Sequence, residues 1–134
     1  MSLGLIKDYN KEWPEWFRQM QNMLDGQLKG LYLSIEHVGS TSVPGLNGKP
    51  IIDIDIVISK GKFEPVKEKL EGMGYVHQGD WGIPGREAFD LVSAEKLKEL
   101  PAHYLYVCNE GEPELIKHIA FRDYLRKNES TGPG

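Results

Sequence analysis

Ile51-Ile52-Asp53-Ile54-Asp55-Ile56-Val57-Ile58 reads as a β-strand that carries two acids through an otherwise apolar run. Residues two apart on a strand point to the same side, so Asp53 and Asp55 present their carboxylates together. Neighbouring carboxylates repel one another and resist desolvation unless a cation or a proton sits between them. Upstream, Val38-Gly39-Ser40-Thr41-Ser42 is a small-residue turn, with twelve residues between Ser40 and Asp53. Gly39 lets the backbone approach a ligand with no Cβ in the way. Ser40, Thr41 and Ser42 offer hydroxyls, and neighbouring amides can form an anion nest. The pattern suggests a site for phosphates and Mg²⁺, with Asp53 and Asp55 as the metal-binding and catalytic pair. The competing reading makes the acids ordinary caps of loop amides or partners of Lys and Arg.

Outward from this strand, helical spacing of Trp13, Trp16, Phe17, Met20, Leu24 and Leu28 predicts a helix over 11–29, with Asn10 as its cap and Gly30 as its end. Leu31 to Val38 reads as the first strand. Residues 39–50 form a turn-rich loop with room for one helical turn. The near-continuous apolar character of 51–58 predicts a central strand covered on both faces. Phe63, Val66, Leu70 and Met73 mark a second helix. Short strands are expected at 75–78, 86–92 and 103–108, with a turn capped by Ser93 between the last two. A final helix from Pro113 to Lys127 would turn Leu115, Ile116, Ile119, Ala120, Tyr124 and Leu125 inward. The expectation is one α/β (α+β) domain over 1–134, a mixed sheet packed with helices, with an ordered core at about 5–128. Met1 to Leu5 and Ser130 to Gly134 are expected to stand outside the fold.

The chain has 134 residues, 40% of them hydrophobic and 27% charged, values of an ordinary water-exposed domain. No apolar run approaches the roughly 20 residues that span a bilayer, and the start lacks the regions of a secretory signal. The formal net charge of -4 argues against long nucleic acid as a partner. A single cysteine, Cys108, excludes an intrachain disulfide and fits a reducing cytoplasm. The four histidines and Cys108 show no zinc-ligand spacing.

Gly39-Ser40 followed by Asp53-Ile54-Asp55 resembles the signature of the nucleotidyltransferase superfamily with the DNA-polymerase-β-like core. The longer string Ile35-Glu36-His37-Val38-Gly39-Ser40-Thr41-Ser42-Val43-Pro44-Gly45-Leu46, with Lys49-Pro50-Ile51-Ile52-Asp53-Ile54, resembles the GrpB family of small nucleotidyltransferase-like proteins. Tyr9, Trp13-Pro14 and Phe121-Arg122-Asp123-Tyr124-Leu125-Arg126 extend the likeness over roughly residues 5–128. The resemblance implies a nucleotidyltransferase fold, with Gly39 and Ser40 in a phosphate-binding turn and Asp53 and Asp55 on Mg²⁺. It also implies a further helical segment beyond the Arg-rich helix, whose absence would open the site or expose an apolar surface.

Active members of that superfamily usually add a third carboxylate from a neighbouring strand. The strand expected there, His103-Tyr104-Leu105-Tyr106-Val107, carries no acid, which leaves Glu87, Asp90 and Glu36 as candidates. His103 is open to a role as base, ligand or structural hydrogen-bonder. Lys49 is set to contact phosphate or to lie in solvent. Arg86 is set to clamp phosphate or to pair with Glu87 or Asp90. Arg122 and Arg126, four apart, share a helix face and would reach the triphosphate, unless Asp123 takes Arg126. His37 reads as structural and His118 as a surface residue. The leading expectation is Mg²⁺-dependent transfer of a nucleoside monophosphate from an NTP to a small-molecule or protein acceptor. The alternatives are a non-catalytic nucleotide- or phosphometabolite-binding domain and a purely structural domain.

Overall fold

The computed structural model describes residues 6–129, with side chains through Lys127. The sequence expectations for both termini therefore fall outside the described residues. The elements run α1 (Trp13–Leu28), β1 (Ser34–Val38), a 3-10 turn (Ser40–Ser42), β2 (Ile52–Ile58), α2 (Phe63–Gly72), β3 (Tyr75–Gly79), β4 (Arg86–Leu91), α3 (Ala94–Glu99), β5 (His103–Asn109) and α4 (Pro113–Glu129). Five strands form one mixed sheet in the order β1-β2-β5-β4-β3. Among the described residues, β2 and β5 run parallel and the other neighbouring strands antiparallel. The expected α/β (α+β) mixed sheet with helices is thus the observed architecture.

The alternation of β2 sorts its side chains between two cores. Ile52, Ile54, Ile56 and Ile58 are fully buried against Trp13, Met20, Leu24 and Leu28 of α1 and Val66 and Leu70 of α2. On the other face, Val57 joins Cys108 of β5 and Leu115 of α4. Strand β2 is interior and covered on both faces, as its apolar run predicts, although β5 holds the middle of the sheet.

Local signals set the element ends. Gly30, at φ +83°, follows α1 where a Cβ would be strained. Asn10 Oδ1 accepts from Glu12 N at 2.8 Å, so its side chain closes a turn just ahead of the helix rather than capping the helix itself. Ser93 caps α3, its Oγ accepting from Lys96 N at 3.3 Å.

One expectation is overturned in α4. Leu115 is buried and Ile119 and Leu125 are half-buried, but Ile116, Ala120 and Tyr124 are exposed, together with Phe121. Apolar residues surround this helix on most sides, and a single sheet face accepts only one stripe. Among the described residues, no helix is long and apolar enough to cross a membrane.

Candidate functional site

Register brings the acids to one place. Val38 faces Asp53 and Glu36 faces Asp55 across β1–β2, while Tyr104 and Tyr106 face the same two aspartates across β2–β5. Residues opposite one another in a sheet share a face. Asp53, Asp55, Glu36, Tyr104 and Tyr106 therefore stand on the α4 side. Helix α4 crosses that face from Cys108 and Tyr106, where Leu115 and Ile119 pack, to β1.

Asp55 is fully buried, and its two oxygens differ. Oδ1 accepts from Arg86 Nη2 at 3.3 Å. Among the described residues, Oδ2 has no hydrogen-bond partner; His118 Nδ1 stands 3.7 Å away, beyond hydrogen-bond range, and is itself buried without a hydrogen-bond partner among them. Asp53 is pushed up to about 6 from the ordinary 3.8, by burial first and then by the charge of Asp55, against the opposing pull of Arg86 and His118. The pair thus holds more negative charge than its protein partners neutralise. One oxygen of Asp55 is engaged by a basic group and the other is left over.

Gly39 ends β1 at φ +77°, in the left-handed region. A Cβ there would overlap Asp53 Oδ2, so only glycine lets the turn lie against this carboxylate. A Cβ at Gly48 would meet Ser40 Oγ, so the following loop closes tightly on the Ser40 side chain. Gly39, Ser40, Asp53, Arg86, His118 and Arg122 line a cavity of about 230 Å³ whose remaining wall is apolar, with Val38, Leu46 and Phe121.

Several sequence-predicted phosphate ligands are spent elsewhere. Thr41 is buried, and its Oγ1 lies 2.9 Å from His37 Nε2. Ser42 Oγ donates to the Gly39 carbonyl at 2.6 Å. These two hydroxyls shape the turn and do not line the cavity. Lys49 is exposed and also outside the lining. Arg126 Nε donates to the Ser42 carbonyl at 2.8 Å, and Asp123 pairs with Arg122, not Arg126. Arg122 reaches the cavity, but its Nη1 donates to Glu36 Oε1 at 2.7 Å and to the His37 carbonyl at 3.1 Å. Arg86 ignores both Glu87 and Asp90; it pairs with Asp55 and stacks on Tyr106, Cζ 3.6 Å from the ring centroid.

Of the candidate third carboxylates, Glu36 is on the right face but tied to Arg122. Glu87 faces Val107 on the opposite side of the sheet and meets His77 at 2.7 Å. Asp90 shares the face of the pair but stands on β4, with β5 between. Strand β5 does neighbour β2, and tyrosines occupy the positions facing the aspartates. His103 is structural. Its Nδ1 donates to the Pro101 carbonyl at 2.7 Å, its Nε2 accepts from Tyr75 Oη at 2.7 Å, and burial lowers its basicity. His37 is structural as well: it stacks on Phe17 at 4.7 Å, and burial with the nearby Arg126 and Arg122 lowers it to about 3.

His118, which reads as a surface residue in the sequence, instead faces Asp55. It lies four residues before Arg122, on the stripe that Arg122 and Arg126 mark out. Among the described residues, no three His, Cys, Asp or Glu side chains form a metal-ligand cluster. The donor set is two carboxylates, which suits Mg²⁺, since that ion keeps several waters and adds phosphate oxygens to one or two protein carboxylates. The leftover Asp55 Oδ2 and the raised Asp53 fit such a cation.

A mixed sheet with an acid pair on an interior strand, a glycine turn against it and a helix across that face is the nucleotidyltransferase class of fold. Solved structures of Cid1 match it: one in complex with the UTP analogue UMPNPP has TM-score 0.59 at 12% identity, covering 87% of this chain and 36% of Cid1. A Cid1 poly(U) polymerase mutant bound to MgATP has TM-score 0.60 at 12% identity, covering 87% and 38%. The GrpB protein family matches residues 5–132, and the chain belongs to that family. The crystal structure of conserved protein GrpB from Enterococcus faecalis superposes with TM-score 0.77 at 32% identity, covering 94% of this chain and 74% of that one. UPF0157 protein YqkA of Bacillus subtilis is 34% identical over 119 residues, 88% of this chain and 33% of YqkA. UPF0157 protein BH1888 of Halalkalibacterium halodurans is 34% identical over 129 residues, 93% of this chain and 62% of BH1888. The chain therefore spans from about a third to under two-thirds of the length of these two curated relatives.

Proposed function

We propose that the protein binds an NTP with Mg²⁺ at Asp53 and Asp55 and transfers its nucleoside monophosphate to a small-molecule or protein acceptor in the cytoplasm. The observation that carries this reading is the under-neutralised pair: a fully buried Asp55 with a leftover oxygen beside an Asp53 that holds its proton up to about 6. Asp53 and Asp55 would hold the ion, which when bound would neutralise phosphate oxygens. Gly39 allows the turn to lie against Asp53, and Ser40 offers its hydroxyl to a phosphate. Arg86 holds the geometry of Asp55, and among the described residues its buried Nε has no hydrogen-bond partner. Arg122 fixes α4 to β1, and so sets the width of the cavity. Catalysis would come from positioning and fixed charge.

A second reading has its own support. With Tyr104 and Tyr106 facing the aspartates, a third acid is missing from β5, as a non-catalytic nucleotide-binding domain would allow. Pyrophosphate release separates the two. With Mg²⁺, an NTP and a panel of hydroxyl-bearing acceptors, a transferase releases pyrophosphate in step with acceptor modification. A binding domain shows metal-linked affinity and no turnover with any acceptor.

A further inference from the structure

On the side of the carboxylates away from Gly39, the sheet carries exposed aromatic rings. Tyr104 and Tyr106 face Asp53 and Asp55 in register. Tyr104 is 51% exposed and Trp81 68%. The Trp81 ring meets Tyr106 edge-on, with centroids 6.4 Å apart. Arg86 stacks on the same Tyr106 while bonding Asp55, so one guanidinium ties this platform to the acid pair. Trp81, Tyr104 and Tyr106 line a second cavity of about 110 Å³, together with Gln78 and Asp90.

The turn that presents Trp81 is held in an unusual way. Ile83 N donates to the Asp80 carbonyl at 2.9 Å, and Gly82 N donates to Asp80 Oδ1 at 2.9 Å. The two central residues, Trp81 and Gly82, have φ of +49° and +88°. Successive positive φ values define a mirror-image turn whose first central position favours Asn, Asp or Gly. A bulky ring in the left-handed region is an outlier. Burial does not explain it, because the ring is mostly in solvent. Backbone outliers of this kind cluster at ligand sites.

We propose that Trp81 and Tyr104 form the acceptor subsite and stack a planar, amino-substituted ring of the adenine or cytosine type. This rests on the nucleotidyl-transfer reading above. The phosphate turn lies on the β1 side of the aspartates and the rings on the β5 side, so donor phosphates at Gly39 and Ser40 leave the ring platform to the group that receives the nucleotide. Gln78 can both donate to and accept from a ring edge, and Asp90 accepts from an exocyclic amine. Stacking on exposed aromatics supplies affinity to any base, and these two side chains supply the preference. In the transfer, an acceptor hydroxyl oxygen bonds to the α-phosphorus as the bond to the bridging β-phosphate oxygen breaks. Pyrophosphate leaves with the electron pair, and the hydroxyl proton passes to solvent.

The test follows the indole N–H resonance of Trp81 while adenosine or inosine is added without Mg²⁺. Adenosine should shift that resonance and leave those of Trp13 and Trp16 in place, and inosine should bind more weakly. Tyr104→Ala should weaken adenosine about 10-fold, and should leave the affinity for Mg²⁺ with a non-hydrolysable NTP analogue unchanged. An unmoved Trp81 resonance would overturn the ring subsite. Equal weakening of adenosine and of the NTP analogue would overturn its assignment to the acceptor. If the wild-type protein fails to bind the Mg²⁺–NTP analogue, the transferase reading and the acceptor role fall together, while the Trp81 resonance still decides the ring subsite.

Discussion

Replacing Asp53 by asparagine should make the metal-free protein more stable. Asp53 holds its proton up to about 6 instead of 3.8, because burial and then the charge of Asp55 disfavour its ionised form, with Arg86 and His118 only partly compensating. Each unit of such a shift corresponds to about 1.4 kcal/mol, so about two units amount to roughly 3 kcal/mol. The folded value lies above the unfolded one, so the native state binds more protons between them. Stability from this group is fully present below the unfolded value and is lost as pH rises through about 6. An asparagine side chain keeps the shape and never ionises. The difference between Asp53→Asn and wild type should therefore be near zero at about pH 3.5, grow between about pH 4 and 6, and level off near 3 kcal/mol above about pH 7. Urea denaturation across this range, with and without MgCl₂, measures it. Mg²⁺ should raise the wild-type stability at neutral pH and leave the variant unmoved. A wild type as stable as the variant at neutral pH, with no response to Mg²⁺, would mean that the ionised Asp53 carries no such penalty.

Gly39→Ala should lower stability by more than about 1 kcal/mol, because the added methyl combines a positive φ with overlap on Asp53 Oδ2; thermal unfolding measures the loss, and Mg²⁺-linked stabilisation should fall with it. Arg122→Ala strips a partner from Glu36 and from the His37 carbonyl, so denaturation should show a loss of about 1–3 kcal/mol. Arg122→Lys should recover little of it, since a lysine ammonium cannot hold Asp123 and at the same time reach Glu36 and the His37 carbonyl, as Nε and Nη1 of the planar guanidinium do. Cys108 is fully buried and its thiol is pushed well up by burial, then by the charge of Asp55. It should therefore resist a thiol-specific chromogenic reagent in native buffer and react at once in denaturant; rapid labelling of the folded protein would contradict that burial.

Period and punctuation make the elements readable in the sequence. Isoleucine alternation identifies β2 and puts the aspartates on one side, and the stripe from Trp13 to Leu28 identifies α1. What the strand pattern lacks is direction for the side chains of the turn. Thr41 and Ser42 have the chemistry of phosphate ligands, yet His37 and the Gly39 carbonyl claim their hydroxyls, and only the folded backbone brings those partners close. Arg86 on β4 reaches Asp55 on β2 across the intervening β5, a strand order that no local pattern encodes. His118 is within reach of sequence reasoning, one helical turn before Arg122, but its target belongs to a strand far earlier in the chain. In α4 the apolar residues are spread too widely to name the buried side, and Ile116 and Tyr124, which the spacing turns inward, are exposed. Trp81 stands in the glycine-rich stretch Gly79-Asp80-Trp81-Gly82-Ile83-Pro84-Gly85, where no sequence pattern singles it out; its left-handed backbone is a property of the turn that Asp80 and Gly82 close around it.

The proposed activity depends on a divalent ion that carries a nucleotide and neutralises Asp53 and Asp55. Titration calorimetry of a non-hydrolysable NTP analogue, with MgCl₂ and with EDTA, decides this on the wild type and on the variant combining Asp53→Asn with Asp55→Asn. Binding should require Mg²⁺ in the wild type and be absent from a folded variant. Equal affinity with EDTA, or wild-type affinity in the double variant, would be incompatible with a metal held by these two carboxylates.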